Sequence, residues 1–131
     1  MEKKYLSKII ANDNEGLQMI SACCAGAEIN VGDIKYLQKS KVFLLSLKRI
    51  KIETENEGKK ITSICKFEFV DSVKSKNIKQ NDINQKLELI TMDYLKKNDN
   101  YEISLIFTNN AYLTLSTEII EVTLDDQNKI D

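Results

Sequence analysis

Apolar residues recur at helical spacing along one stretch of the chain. Leu17, Ile20 and Cys24 form a stripe that Met19 and Cys23 widen. The polar run Asn12-Asp13-Asn14-Glu15 precedes it. With Asn12 as N-cap and Glu15 three residues on, each side chain would satisfy a backbone donor left open at a helix start. Gly26 suits the position after the last turn, where a left-handed backbone is needed. The pattern predicts one amphipathic helix of about a dozen residues, enough to be stable only when its stripe is buried.

Elsewhere the period is two. Lys4 to Ile10 reads as a short strand or arm. Ile34-Lys35-Tyr36-Leu37 is extended, and Gln38-Lys39-Ser40-Lys41 is a turn. Val42 to Glu53 begins apolar on both faces and then alternates, with Ile50 and Ile52 on one side and Arg49 and Lys51 on the other. Glu55-Asn56-Glu57-Gly58 is a hairpin loop. Ile61 to Val73 reads as one strand, with Ile61, Ser63, Cys65, Phe67 and Phe69 on a shared face. Asn77 is placed to take positive φ, and Ile78 to Gln85 is polar, with room for a helical turn. Lys86 to Leu95 alternates, Lys97 to Asn100 turns, and Tyr101 to Phe107 pairs with Ala111 to Ser116. Asn109-Asn110 at that hairpin suits a type I′ turn, since Asn tolerates positive φ. Glu118 to Leu124 continues or follows the last strand, and the tail from Asp125 is polar.

Short turns imply antiparallel pairing. The expected fold class is α+β: one N-terminal amphipathic helix packed on a curled antiparallel sheet, or on a partly open β-barrel or sandwich. About six or seven strands in meander order are expected. At 131 residues the chain is expected to form a single domain over its whole length, 1–131.

Composition narrows function mainly by exclusion. The chain has no His, no Pro and no Trp. Without His there is no Ser-His-Asp or Cys-His arrangement and no common general base. Four glycines make no P-loop or dinucleotide fingerprint. Cys23, Cys24 and Cys65 are an odd number with no CxxC spacing, which favours small buried fillers over a disulfide framework or a zinc site. Asp125-Asp126 and Glu53-Glu55-Glu57 read as solvated carboxylates. No apolar run reaches the ~20 residues of a membrane span, and no apolar stretch follows the N-terminal Lys3-Lys4 as in a secretory signal. These readings point to a cytoplasmic protein that is not an enzyme and carries no cofactor or metal.

Net charge is −1, which gives no bulk attraction to nucleic acid. The distribution is uneven. Lys35, Lys39, Lys41, Lys48, Arg49 and Lys51 cluster with Asp33 as the one acid among them, while the segment after Tyr101 is acidic. Arg49 is the one arginine among nineteen basic residues. A planar bidentate donor kept where lysine is otherwise used fits a carboxylate or phosphate partner. The plainer alternative is an internal salt bridge, for instance to Asp33 or Glu53. Lys74 and Lys76 alternate on one strand and, with Arg49 and Lys51, would line an anion-binding rim.

Several stretches resemble an uncharacterised, mostly alphaproteobacterial family catalogued as a domain of unknown function (number 2948). Its early helix pattern ISAxxQDA is matched by Ile20 through Ala27. GDIxYLPKxxxF is matched by Gly32 through Phe43, NRFxWE by Lys48 through Glu53, and VxSRGI by Val73 through Ile78. Gln38 stands for the family's Pro, Ile52 for its Trp, Asn77 for its Gly, and Lys74 and Lys76 at its Arg positions. Asp33, Tyr36 and Arg49 keep the pattern. The resemblance implies no activity.

The resulting expectation is a bacterial, non-catalytic binding or assembly module, acting as a homodimer or with a protein partner. The alternative is a binder of a small anionic ligand (nucleotide, sugar phosphate or phospholipid headgroup) through Arg49, Lys51, Lys74 and Lys76, with Asp33 and Tyr36 as further candidates.

Overall fold

The computed structural model describes residues 7–50 and 60–127. Among these residues ten strands form one open antiparallel sheet, accompanied by one α-helix and a short 3-10 helix at Val31–Asp33. The strands are β1 (Lys8–Ala11), β2 (Glu28–Asn30), β3 (Ile34–Leu37), β4 (Val42–Ile50) and β5 (Lys60–Phe67). They continue as β6 (Val70–Lys76), β7 (Lys86–Lys97), β8 (Asn100–Phe107), β9 (Tyr112–Thr117) and β10 (Val122–Asp126). The helix α1 spans Asn14–Cys24.

This corrects the expectation of six or seven strands in meander order. The order is β1-β10-β5-β4-β2-β7-β8-β9-β6, with β3 paired to β4 beside β2. Two features of the chain account for the difference. Glu28–Asn30 is only three residues long, too short to show a period, yet it bridges β4 and β7. The stretch read as one strand from Ile61 to Val73 is two, β5 and β6, broken at Phe69 with φ +59°.

That break is a shared corner. Glu68 N–H donates to the Glu121 carbonyl at 3.0 Å, and Glu118 N–H donates to the Phe69 carbonyl at 3.2 Å. Since β5 pairs with β10 and β6 with β9, both chains turn the corner together as a bent ribbon. Phe69 is thereby carried off the inner face and left 41% exposed, against its expected place beside Phe67.

Strand alternation sets the inner face. Phe43, Leu45 and Leu47 of β4, Cys65 and Phe67 of β5, and Val122 and Leu124 of β10 are all buried. They join Leu87, Leu89, Ile103, Leu105, Phe107, Leu113 and Leu115 from the other half of the sheet in one core. Phe43 and Phe67 meet with ring centroids 6.0 Å apart, a tilted packing that aromatic quadrupoles favour.

Helix α1 packs on β1, β4 and β7, with Leu17, Ile20 and Cys24 buried as the spacing predicts. Met19 is the exception: it is 57% exposed and lies outside the buried stripe. The N-cap is Asp13, one residue later than expected, and its carboxylate accepts from Gly16 N–H at 2.8 Å. Gly26 takes φ +82° as the helix end requires. Ser21 reaches a bulge in β7, where its hydroxyl accepts from Met92 N–H at 2.8 Å. Asn109 and Asn110 have φ +63° and +58°, the I′ geometry their sequence predicts, and Asn77 has φ +60°. The Ile78–Gln85 stretch contains no helical turn. The Glu55–Gly58 loop lies outside the described residues.

Gly16 marks where helix and first strand approach most closely. A Cβ there would lie 2.9 Å from Ala11 Cα and Cβ. An interior Gly→Ala change normally favours a helix by about 1 kcal/mol. Here backbone overlap opposes it, at roughly 1–3 kcal/mol for overpacking. Gly16→Ala is therefore expected to lower the urea midpoint, and a raised midpoint would disprove the close approach.

Candidate functional site

The sheet bends far enough to bring its β6 edge back to the β3–β4 hairpin. Val70 N–H donates to the Lys41 carbonyl at 2.8 Å, and Tyr36 Oη donates to the Val70 carbonyl at 2.7 Å. Lys41 Nζ also holds Asp71 at 3.0 Å and Glu118 at 3.8 Å. The Asp71 hydrogen bond and charge, with help from Glu118, raise the Lys41 pKa above its ordinary value. Beyond this stitch the two strands part: β3 pairs with β4, β6 pairs with β9, and no ladder joins β3 to β6.

The gap is a cavity of about 400 Å³. Ile34 and Tyr36 line it from β3, and Val73 and Ser75 from β6. Val31, Phe43 and Leu113 form its buried floor. Ile78 and Gln80 close the far end, where Gln80 Nε2 donates to Ser75 Oγ at 2.9 Å. Tyr36 stacks toward Phe43 with centroids 6.4 Å apart, so an aromatic wall runs from the core into the cavity. Strand geometry explains the lining: Val73 and Ser75 alternate with Lys74 and Lys76, and Ile34 and Tyr36 alternate with Lys35. Ile34, Tyr36 and Val73 are half-buried on the cavity side, while Ser75 and the lysines are exposed.

The predicted site residues are not brought together. Tyr36 lines the cavity. Lys74 and Lys76 lie exposed on the outer side of β6, Lys76 with its Nζ 5.6 Å from the Tyr112 ring centroid. Asp33 lines a separate groove of about 100 Å³ with Glu28, Lys48 and Lys86. Lys51 lies outside the described residues.

Arg49 is turned inward. Its residue exposure is 1%, and its guanidinium meets Asp126 Oδ1 at 2.9 Å and Ser63 Oγ at 3.0 Å. Ser63 Oγ donates to the same carboxylate oxygen at 2.7 Å, and Ser7 N–H donates to Oδ2 at 2.8 Å. The internal salt bridge exists, with Asp126 as a partner; Asp33 lines a separate groove, and Glu53 lies outside the described residues. Asp126, read from the sequence as a solvated residue of a polar tail, is 4% exposed on the inner face of β10. Burial alone would raise its pKa. The hydrogen bonds from Ser63, Ser7 and Arg49, with the Arg49 charge, outweigh burial and hold the carboxyl below its ordinary range.

Cys23, Cys24 and Cys65 are buried. A hydrogen bond with Cys24 and the lack of water push the Cys65 thiol well up. No group of three metal-binding side chains occurs among the described residues.

Sequence reasoning missed the cavity because its lining is ordinary core chemistry. A signal was present all the same: two stretches that carry the family resemblance, Gly32–Phe43 and Val73–Ile78, supply Ile34, Tyr36, Phe43, Val73, Ser75 and Ile78 to one cavity.

Residues 7–130 match the model of a family described as "Protein of unknown function (DUF2948)". Comparison with curated proteins and with solved structures gives no match.

Breaking a buried ion pair costs about 3–5 kcal/mol because one charge is left uncompensated. Arg49→Met is expected to lose that much in urea unfolding, and Arg49→Met/Asp126→Leu to regain part of it. The depressed Asp126 pKa contributes stability above its unfolded value, about 3.9, and that contribution is lost as pH falls through the folded value. A double variant no better than Arg49→Met would refute the assignment.

Proposed function

The chain belongs to the DUF2948 family, and on that premise we propose that it is a non-catalytic binding module whose ligand enters the β3/β6 cavity. The observation that carries this reading is a groove of about 400 Å³, open to solvent and backed by the buried Val31, Phe43 and Leu113. That volume lies within the roughly 300–1,000 Å³ typical of small-molecule sites. The polar groups lining it are Tyr36, Ser75 and Gln80, with no charged side chain, which supports binding over acid–base chemistry. The buried thiols of Cys24 and Cys65 support residence in a reducing compartment such as a bacterial cytoplasm. Among the described residues no helix is long and apolar enough to cross a membrane.

Benzene titrated into the labelled protein tests the cavity, because a neutral apolar probe enters without help from charge. Amide shifts are expected to cluster in Val31–Tyr36 and Val73–Ile78 and to vanish in Val73→Trp. Shifts elsewhere, or none, would remove the reading.

Assembly through a second copy is the other form of this proposal. It is favoured by β1, an edge strand with Ile10 63% exposed on it. Edge strands are templates for pairing with another chain. Sedimentation velocity is expected to show a dimer that Ile10→Lys dissociates, and a monomer at high micromolar concentration would exclude it.

The anionic-ligand alternative gives up Arg49, whose guanidinium is engaged by Asp126 and Ser63 inside the fold. Lysines are left to supply the positive charge.

A further inference from the structure

We infer that the β3/β6 cavity takes a single-chain amphiphile with an acidic head, its apolar chain inside and its carboxylate or phosphate at the lysine-flanked mouth. The inference rests on the cavity being a binding site and adds the class of ligand. Three observations lead to it.

The interior is apolar where a ligand would sit deepest. Val31, Phe43 and Leu113 form the floor, and all three are buried. A charged group placed there would lose its hydration with no partner to replace it. A headgroup must therefore remain at the opening.

The opening is flanked by positive charge. Alternation that sends Ile34, Tyr36, Val73 and Ser75 inward sends Lys35, Lys74 and Lys76 to the outer sides of the same two strands. Lys79 follows on the segment that closes the far end. All four are exposed, and none is in an ion pair among the described residues. The nearby carboxylates are Asp33, Asp71 and Asp82, and Asp71 is already held by Lys41 at 3.0 Å. Long lysine stems can swing over an apolar opening while keeping their ammonium groups in water. Lys76 lies across the ring of Tyr112 on β9, 5.6 Å from its centroid.

A hydrogen bond bounds each end. Tyr36 Oη on the Val70 carbonyl bounds one end, and Gln80 on Ser75 bounds the other. An extended peptide added between the β3 and β6 edges would have to pass through these contacts. A single aliphatic chain entering from the mouth does not.

Isothermal titration of the full chain with decanoate, decyl phosphate, decanol and decyltrimethylammonium tests the inference. Both acids are expected to bind saturably with one-to-one stoichiometry, and the cation at least about tenfold more weakly. Val73→Trp is expected to weaken the acids about tenfold or more by filling the cavity. Ser75→Phe, at the exposed end that Ser75 and Gln80 bound, serves if Val73→Trp does not fold. The triple change Lys35→Glu/Lys74→Glu/Lys76→Glu is expected to weaken the acids about fivefold and to leave decanol unchanged.

Cosedimentation with phosphatidylglycerol vesicles separates the sources. Soluble-acid binding with cosedimentation supports a membrane lipid, and soluble-acid binding alone supports a free acid. Vesicle binding without soluble-acid binding would overturn the inference. So would equal binding of the cation, indifference to both cavity-filling variants, or binding of an extended acidic peptide where both amphiphiles fail. Decanol binding as tightly as the acids would overturn the acidic head and leave the cavity as a binding site, whereas absence of benzene and amphiphile binding alike would remove both.

Discussion

A ten-stranded sheet with one apolar face has to cover that face, and a single eleven-residue helix cannot do it. Burial of apolar surface is the main favourable term in folding, so the sheet is driven to cover itself. The corner at Phe69, shared with the segment from Glu118 to Glu121, lets one ribbon serve both halves. Helix α1 takes what remains, packing on β1, β4 and β7. The return is incomplete. Lys41 and Tyr36 fasten the hairpin to Val70, after which β3 and β6 diverge and leave the cavity. The candidate site is thus where self-covering stops short.

The same inner face also carries a buried ion pair. Arg49 occupies a position in β4 that alternation assigns to the interior, diagonal to Ser63 in β5, which lies opposite Asp126 in β10. Neither charge is tolerable alone at that depth. Their pairing ties three neighbouring strands together and draws in the backbone of Ser7. It also removes the arginine from any role at the lysine-bearing outer surface.

Local features were legible in the sequence wherever one segment determines its own conformation. The α1 stripe, the Gly26 terminus, the Asn109-Asn110 turn and the β8–β9 hairpin all follow from short-range rules. What could not be read were decisions made between distant segments. Alternation around Arg49 gave no reason to turn a guanidinium inward and leave Ile50 49% exposed, because that choice depends on Asp126, 77 positions away. Phe69 reads as one more inward residue of a strand until the corner removes it. β2 has too few residues to signal itself, and it is the link between the two halves. Tyr36 is the one predicted site residue that the cavity uses, since the others were chosen for charge and the cavity is built from apolar side chains.

The topology bears on how the chain reaches this state as it leaves a ribosome. β10 lies between β1 and β5, with Lys8 opposite Asp125 and Phe67 opposite Val122. A nascent chain that has emerged only as far as β9 has both neighbours of β10 but not β10 itself, and its arginine lacks the carboxylate it will need. Pairings this distant in sequence are slow to form, because loop closure must be met before the contact contributes. Completion of this sheet is therefore tied to β10, and chains that lack it expose the open β1 and β5 edges that β10 will later fill.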